Sequence, residues 1–270
     1  NLQRWGQHSH VPSVIFERSL MPPLIELSNV TKVFGSDDAK VHAFGPVSMT
    51  ISDGEFISLL GPSGCGKSTL MLMIAGLLSV TDGAISLAGS TVTGPQTDIG
   101  IMFQDNTLVP WRTVRGNIEL QLEMRGLSPT AHSEAVEDLL RSVHLDDFQT
   151  RFPHELSGGM QQRAAFCQAM VHSPKTMLLD EPLGKLDAMT RENIRRDLQK
   201  LWMQKRQTVV FVTHSIEEAI QLSTRVAIIT PRPGKIDRII DIDLPFPRDF
   251  EIKGSAKFTG YVRDAQEIFR

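Results

Sequence analysis

The sequence predicts an α/β fold in which helices cover both faces of a parallel sheet and a helical segment is inserted in the middle. Short apolar runs of strand type alternate with amphipathic stretches of helix type along most of the chain. The apolar run at 56–60 is bounded by glycines, as is typical of a buried parallel strand. Residues 105–172 contain periodic helical stretches and little strand signal, which predicts the inserted helical segment.

The expected elements follow in chain order. Strands are expected at 24–33, 47–51, 56–60, 84–88, 100–103, 176–179, 208–213 and 225–230, and helices at 68–78, 114–124, 130–143, 189–204 and 215–222. The polar residues 1–20 are expected to be a disordered or non-native extension, with Met21 as the biological start. Residues 246–270 are expected to form a short C-terminal tail with a docking helix near 261–269.

Composition excludes several functional classes. The chain has 270 residues, of which 41% are hydrophobic and 22% charged, so it can bury a sizeable core. Its net charge of −3 gives no electrostatic case for a nucleic-acid partner. Cys65 and Cys167 lack metal-ligand spacing, which favours a reduced, cytosolic protein. No apolar run reaches the roughly 18 residues that a membrane helix needs, so we expect no membrane crossing by this chain alone.

A glycine-rich turn follows the predicted strand at 56–60 and precedes a predicted helix. It comprises the candidate nucleotide-binding residues Gly61, Pro62, Ser63, Gly64, Cys65, Gly66, Lys67, Ser68 and Thr69, and it matches the phosphate-loop pattern. Glycines let several backbone N–H groups face one anion, and the helix start adds partial positive charge. Lys67 is expected to contact the β- and γ-phosphates of ATP, and the Ser68 hydroxyl to ligate Mg²⁺. Alkylation of Cys65 is expected to block hydrolysis, with bound ATP protecting the thiol.

Two carboxylates, Asp180 and Glu181, follow the apolar run at 177–179. At the carboxyl end of a strand they would face the crevice in which α/β sheets bind ligands. Asp180 is the expected Mg²⁺ partner, and Glu181 is placed to polarise the attacking water. The alternative is a solvated acidic turn before Pro182.

A third motif carries a family resemblance. The run Leu156, Ser157, Gly158, Gly159, Met160, Gln161, Gln162 and Arg163 resembles the signature of ATP-binding-cassette (ABC) transporter ATPases, and it precedes the Asp180 strand as that family requires. Ser157 can cap a helix whose first glycines expose backbone N–H groups, which makes a second anion-binding end. In the family, this end faces the γ-phosphate of ATP bound to the other copy.

The resemblance implies further site residues. Gln104 resembles the glutamine that contacts Mg²⁺ and water, and His214 resembles the switch histidine; with Lys67 and Glu181 they form the expected catalytic set. Asp187 resembles the D-loop aspartate of the cross-subunit contact, although Lys185 stands where a small residue is more usual.

Phe34 lies where the family stacks an aromatic ring on adenine, and Phe44 is a weaker candidate for the same role. The alternative is that such a phenylalanine belongs to the hydrophobic core.

The resemblance covers about residues 24–245 and implies a RecA-like phosphate-loop core, an antiparallel β lobe and a helical lobe at about 105–172, within an ATPase domain at 21–245. It further implies a head-to-tail homodimer that uses ATP and Mg²⁺, bound to a permease on the inner face of the cell membrane and served indirectly by a solute-binding protein.

Segments 109–114 and 230–236 look like those of importers for nitrate, taurine, aliphatic sulfonates and related compounds. Trp111 is a candidate anchor for the permease, although a packed tryptophan is the alternative. A soluble non-transport ABC ATPase, an exporter cassette and a small-molecule kinase remain rival interpretations, and the sequence does not name a solute.

Overall fold

The structure is a computed structural model that describes residues 23–35, 40–105, 107–184 and 186–269. The expected extension at 1–20, the proposed start at Met21 and Lys185 lie outside these residues. The strands are β1 (Pro23–Phe34), β2 (Val41–Ser52), β3 (Phe56–Leu60), β4 (Asp82–Leu87), β5 (Ser90–Thr91), β6 (Ile99–Met102), β7 (Thr176–Asp180), β8 (Thr208–Thr213), β9 (Arg225–Ile229) and β10 (Ile236–Asp241). The helices are α1 (Lys67–Ile74), α2 (Val114–Glu123), α3 (Ser133–Ser142), α4 (Gly158–Met170), α5 (Ala188–Lys205), α6 (Ile216–Leu222), α7 (Phe250–Lys253) and α8 (Ala256–Ile268).

The N-terminal strands form an antiparallel sheet in the order β2-β1-β4-β5. In β1, Ile25 and Leu27 are buried whereas Glu26 and Ser28 are exposed, because alternate side chains of a strand point to opposite faces. The predicted antiparallel lobe is confirmed.

The larger sheet has the order β10-β9-β3-β8-β7-β6. Its strands β9, β3, β8, β7 and β6 are paired in parallel, and β10 runs antiparallel to β9 at the edge. Parallel strands end at the same edge of a sheet, so the segments that follow β3, β7 and β8 meet there. The predicted phosphate loop, the Asp180–Glu181 pair and His214 are therefore brought together at one edge.

Apolar side chains are buried on both faces of this sheet. Met177 and Leu179 of β7 pack in a cluster with the inserted helices and α5, whereas Leu178 between them packs in a second cluster with α1 and the antiparallel sheet. Burial on both faces explains why these strands read as continuous apolar runs. The predicted α/β core is confirmed.

The inserted helical lobe contains α2, α3 and α4, joined by 3-10 turns at Thr130–His132, Asp146–Phe148 and Pro153–Glu155. These helices span residues 114–170. Within the described ranges, no helix combines the length and apolarity that a membrane span requires.

The C-terminal segment differs from the expected short tail. Phe246 packs against Trp202 in the main core, with ring centroids 4.9 Å apart, and Arg248 is buried. Helix α8 lies against α6 through Phe258 and Ala265, which are also buried. Residues 246–269 are thus part of the folded core, because their apolar side chains complete the cover of the sheet. The docking helix expected near 261–269 is present as α8, and the segment from 246 packs on the core where a short tail was expected.

Candidate active site

The phosphate loop connects β3 to α1. Gly64 and Gly66 have φ angles of +78° and +98°, a left-handed region that favours glycine. A Cβ on Gly66 would lie 2.9 Å from Cδ2 of Phe44, so space also requires glycine there. Helix α1 begins at Lys67 with no side-chain cap and no acidic residue in its first turn. Its first N–H groups are therefore free to bind an anion.

Lys67 folds back over the loop from which it projects. Its ammonium group donates to the carbonyl oxygens of Gly61 and Pro62, both at 2.8 Å, and lies 3.7 Å from Sγ of Cys65. The Cys65 side chain is buried, with 1% of its surface exposed. Alkylation of this thiol therefore requires the loop to open first, which the expectation based on sequence position alone did not include.

Asp180 ends β7 with a buried side chain. Burial raises the pKa of its carboxyl group, and a hydrogen bond from Ser68 opposes that shift. Its Oδ1 atom is buried and has no hydrogen-bond partner among the described residues. An unsatisfied carboxylate oxygen beside a serine hydroxyl is a donor set that Mg²⁺ prefers. The residues present therefore fit the metal that the phosphate loop implies.

Glu181 is held in an unusual backbone conformation. Its φ angle is +44°, a left-handed value that costs a non-glycine residue about 1–3 kcal/mol. The backbone N–H donates to the carbonyl of Val212 at 3.0 Å, which fixes the turn. Its Oε2 atom lies 3.2 Å from Nε2 of Gln104 and 3.3 Å from Nδ1 of His214. The structure thus brings two of the predicted catalytic side chains, those of Gln104 and His214, to one oxygen atom of a third, Glu181.

A cleft of about 460 Å³ opens over the phosphate loop. Its walls include Phe34, Ser63, Lys67, Ser68, Gln104, Glu181 and Arg232. The Phe34 ring is 42% exposed, and the ammonium group of Lys32 lies 5.2 Å from its centroid. Phe44, by contrast, is fully buried beneath Gly66. The weaker expectation that Phe44 stacks on adenine was wrong, because its ring has no face open to the cleft.

His214 lies on the other side of Glu181. It lines a second cleft of about 520 Å³ together with Gly61 and Pro62 of the phosphate loop. The end of α8 forms part of the same wall through Ile268 and Phe269. The C-terminal helix therefore reaches the edge of the candidate active site.

Sequence reasoning missed two residues of the site. Arg232 lines the nucleotide cleft, and Gly234 lies beneath the phosphate loop. A Cβ on Gly234 would lie only 1.8 Å from the carbonyl oxygen of Cys65. The segment 230–236 was singled out only for its resemblance to importers, whereas its run of prolines and glycine also indicates a rigid turn.

The signature run begins α4. Ser157 caps the helix, and its Oγ accepts from the N–H of Met160 at 3.4 Å. Leu156 is buried, whereas Gly158 is exposed, and a Cβ added to Gly158 would meet no atom within 4 Å. Among the described residues, none from 156–160 lines the nucleotide cleft. The signature run therefore takes no part in the cleft over the phosphate loop of its own chain.

Asp187 caps α5. Its Oδ1 accepts from the N–H groups of Met189 and Thr190, at 3.1 and 3.0 Å. Hydrogen bonds from the side chain and backbone of Thr190 lower the pKa of this carboxyl group. Within the chain Asp187 is a helix cap, and its cross-subunit contact stays a prediction.

Comparison with known proteins agrees with this geometry. The family model described as "ABC transporter" matches residues 44–184. The chain is 40% identical over 254 residues to an uncharacterized ABC transporter ATP-binding protein of Methanocaldococcus jannaschii, covering 94% of both chains. It is 42% identical over 217 residues to the aliphatic sulfonates import ATP-binding protein SsuB of Bacillus licheniformis, covering 80% of this chain and 84% of the relative.

Two solved structures have the same fold. One is the dimeric structure of MJ0796, a bacterial ABC transporter cassette, with a TM-score of 0.73. The other is the dimeric structure of a post-hydrolysis state of that cassette bound to ADP and Pi, with a TM-score of 0.72. In both comparisons the sequences are 32% identical, and the match covers 81% of this chain and 98% of the other.

Proposed function

This chain belongs to the ABC transporter family, and we propose that it is the ATP-hydrolysing subunit of an importer that works as a head-to-tail homodimer. One observation carries the proposal. The chain presents two anion-binding helix starts, at Lys67 and at Gly158, and only the first lines the nucleotide cleft. A second copy supplies the missing half, and two-fold symmetry then makes two equal sites.

Each residue of the cleft has a role in this arrangement. The N–H groups of the phosphate loop and Lys67 bind the phosphates of ATP, and Phe34 offers a ring face to adenine. Arg232 adds a second cation at the wall of the cleft. Ser68, Asp180 and Gln104 would hold Mg²⁺, which supplies neutralising charge to the phosphates when it is bound.

Glu181 polarises the attacking water, because its carboxylate is the group on which Gln104 and His214 converge. The left-handed backbone at Glu181 aims that carboxylate toward the cleft. ATP holds the two copies together because its charge is neutralised only when both helix starts contribute. Hydrolysis removes this complementarity and separates the copies, and that difference in affinity does work on the permease.

The permease docks near Trp111. Trp111 is 78% exposed, and the segment that carries it is held by side-chain hydrogen bonds. Asn117 is buried and bonds to both backbone groups of Val109, at 2.6 and 3.1 Å, and to the carbonyl of Arg112 at 3.0 Å. An exposed tryptophan on a hydrogen-bonded support suits an interface anchor. The subunit is thereby a peripheral protein on the inner face of the membrane.

The direct test of the dimer uses Glu181→Gln, which keeps the shape of the side chain and removes the base. We expect this variant to bind ATP and to sediment as a stable dimer, whereas wild type returns to monomer as ATP is consumed. Glu217→Gln, a change of an exposed carboxylate on α6, is the matched control and should behave as wild type. A Glu181→Gln variant that stays monomeric at saturating ATP would contradict the proposal.

The similarity to SsuB supports an organic sulfonate or a similar small anion as the solute of the proposed importer. Deletion of the gene should prevent growth on taurine or an alkanesulfonate as the sole sulfur source, and wild type but not Lys67→Met should restore it. Unimpaired growth on each of these sources, with a defect on nitrate instead, would assign the nitrate branch.

Co-purification separates importers from the rival classes. The tagged chain should carry a membrane permease from detergent extracts, and Trp111→Ala should lose it without losing its own ATPase activity. Recovery of ribosomes or nucleic acid in place of a permease would favour a non-transport ABC ATPase.

A further inference from the structure

The residues on both sides of His214 are held by a hydrogen-bond network that includes the buried carboxylate and the backbone N–H of Glu218. Thr213 Oγ1 donates to Glu218 Oε2 at 2.8 Å and accepts from the N–H of Ser215 at 3.0 Å. Ser215 Oγ in turn accepts from the N–H of Glu218 at 3.3 Å. Glu218 is 6% exposed, so these bonds are largely protected from water. The position of the His214 backbone therefore depends on Glu218.

The other oxygen of Glu218 faces helix α5. Its Oε1 atom lies 3.8 Å from Nε of Arg191, which is an ion pair longer than a hydrogen bond. That Nε atom is buried and makes no hydrogen bond to any described residue. A guanidinium nitrogen of the same Arg191 side chain donates to the carbonyl of Leu186 at 2.8 Å. Arg191 thus links Glu218 to the residue that precedes Asp187.

Leu186 and the first turn of α5 lie against the signature turn. A Cβ on Gly159 would be 2.6 Å from Cγ2 of Thr190 and 3.5 Å from Cδ2 of Leu186. The space between Gly159 and the first turn of α5 therefore has no room for a side chain, and elements packed this closely transmit displacement to each other. Movement of the signature turn must therefore move the start of α5, which carries Arg191.

We propose that Glu218 and Arg191 are positioning residues that couple the signature turn of one chain to its own His214. The inference rests on the proposed head-to-tail dimer, in which the signature serves one nucleotide and His214 of the same chain serves the other. Engagement of the signature shifts α5, changes the separation of Arg191 from Glu218, and resets the Thr213–Ser215 backbone. The distance from His214 to Glu181 at one site then depends on nucleotide at the second site, which is an energetic coupling between sites.

The experiment compares Glu218→Gln, Arg191→Met and the double variant. Glutamine keeps an oxygen for Thr213 and removes the charge that faces Arg191. Glu217→Gln and Arg196→Met change exposed residues on the same helices and serve as matched controls. The readouts are kcat, KM for ATP, the Hill coefficient of hydrolysis, and affinity of the dilute single chain for a fluorescent ATP analogue.

We expect the Hill coefficient to fall from about 2, the number of sites, to about 1 in either variant. We expect kcat to fall roughly tenfold while nucleotide affinity of the single chain changes less than about twofold, since the phosphate loop is untouched. The double variant should be no worse than either single one, because both remove the same link. Arg191→Lys, which keeps the charge, should recover part of the cooperativity.

The outcomes separate the coupling from the function on which it rests. A Glu181→Gln chain that stays monomeric at saturating ATP contradicts the proposed dimer. Wild type that dimerises but hydrolyses ATP without cooperativity overturns the coupling alone. Cooperative wild type with equally cooperative Glu218→Gln and Arg191→Met variants overturns the coupling alone. Additive losses in the double variant also overturn it. Arg191 is partly exposed, so Arg191→Met should fold even if Glu218→Gln does not, and its Hill coefficient then tests the coupling.

Discussion

Replacement of Gly158 by alanine should affect hydrolysis by the proposed dimer without lowering the stability of the single chain. Gly158 is the first residue of α4, it is exposed, and an added Cβ meets no atom within 4 Å. Alanine therefore causes no clash within the chain, and it favours a helix over glycine by up to about 1 kcal/mol. We expect the melting temperature to stay constant or to rise by up to roughly 4 °C.

In the proposed dimer the same methyl group should be harmful. There it would stand between the signature N–H groups and the γ-phosphate held by the other chain. Loss of one preorganised donor to a reacting anion costs about 100- to 1,000-fold in kcat, or roughly 2.7–4 kcal/mol. Hydrolysis should fall by at least about 100-fold, while affinity of the dilute single chain for ATP, which the phosphate loop sets, stays unchanged.

Calorimetry, steady-state hydrolysis and fluorescent-nucleotide binding measure these three quantities. Gly159→Ala is the contrasting variant, because its Cβ would lie 2.6 Å from Thr190 Cγ2 and should lower stability as well as activity. A Gly158→Ala variant with the wild-type rate, or one that loses ATP affinity as a single chain, would refute the reasoning.

Three further predictions concern buried groups. Cys65 is 1% exposed, so iodoacetamide should modify it far more slowly than a free thiol. Burial raises the pKa of Cys167 to about 12, so this thiol should react only when the protein unfolds. Rapid labelling of the native protein at either cysteine would be inconsistent with the fold. Burial, assisted by the nearby charge of Arg125, lowers the pKa of His172 from 6.5 to about 4. The unfolded chain therefore takes up this proton first, and the associated stability is complete above pH 6.5 and lost as pH falls toward 4. The urea midpoint should change less with pH in His172→Gln than in wild type, and an unchanged pH dependence would argue against a half-buried neutral histidine at this position. Arg248 is 2% exposed and donates to four backbone carbonyls. Arg248→Met should therefore lower the free energy of unfolding, measured in urea, by roughly 3–5 kcal/mol. A decrease of less than about 1 kcal/mol would contradict this account.

The candidate residues of the phosphate loop and the acidic pair could be singled out from sequence because each set lies in a contiguous pattern, whereas Gln104 and His214 were identified from the family resemblance. The phosphate loop combines a buried strand, glycines and a helix start within a few residues, and Asp180 and Glu181 directly follow an apolar strand. Since parallel strands end at one edge, the meeting of these segments with His214 follows from the order of elements alone.

Contacts between distant segments could not be predicted in this way. Gly234 packs against the carbonyl of Cys65, and nothing local to either residue indicates that approach. The link between Glu218 and Arg191 depends on how α5 and α6 pack. Likewise β10 is an edge strand with a half-buried pattern, and its signal is weaker than that of the apolar central strands.

Complementation between two defective chains tests the central claim most directly. One chain carries Lys67→Met and the other Ser157→Arg, both in the Glu181→Gln background, and ATP occlusion is measured for each alone and for the mixture. Mixed dimers should contain one intact site, made from the phosphate loop of the Ser157→Arg chain and the signature of the Lys67→Met chain. Our account predicts that the mixture occludes ATP whereas neither chain does so alone. Failure of the mixture to occlude ATP, with both chains folded, would contradict it.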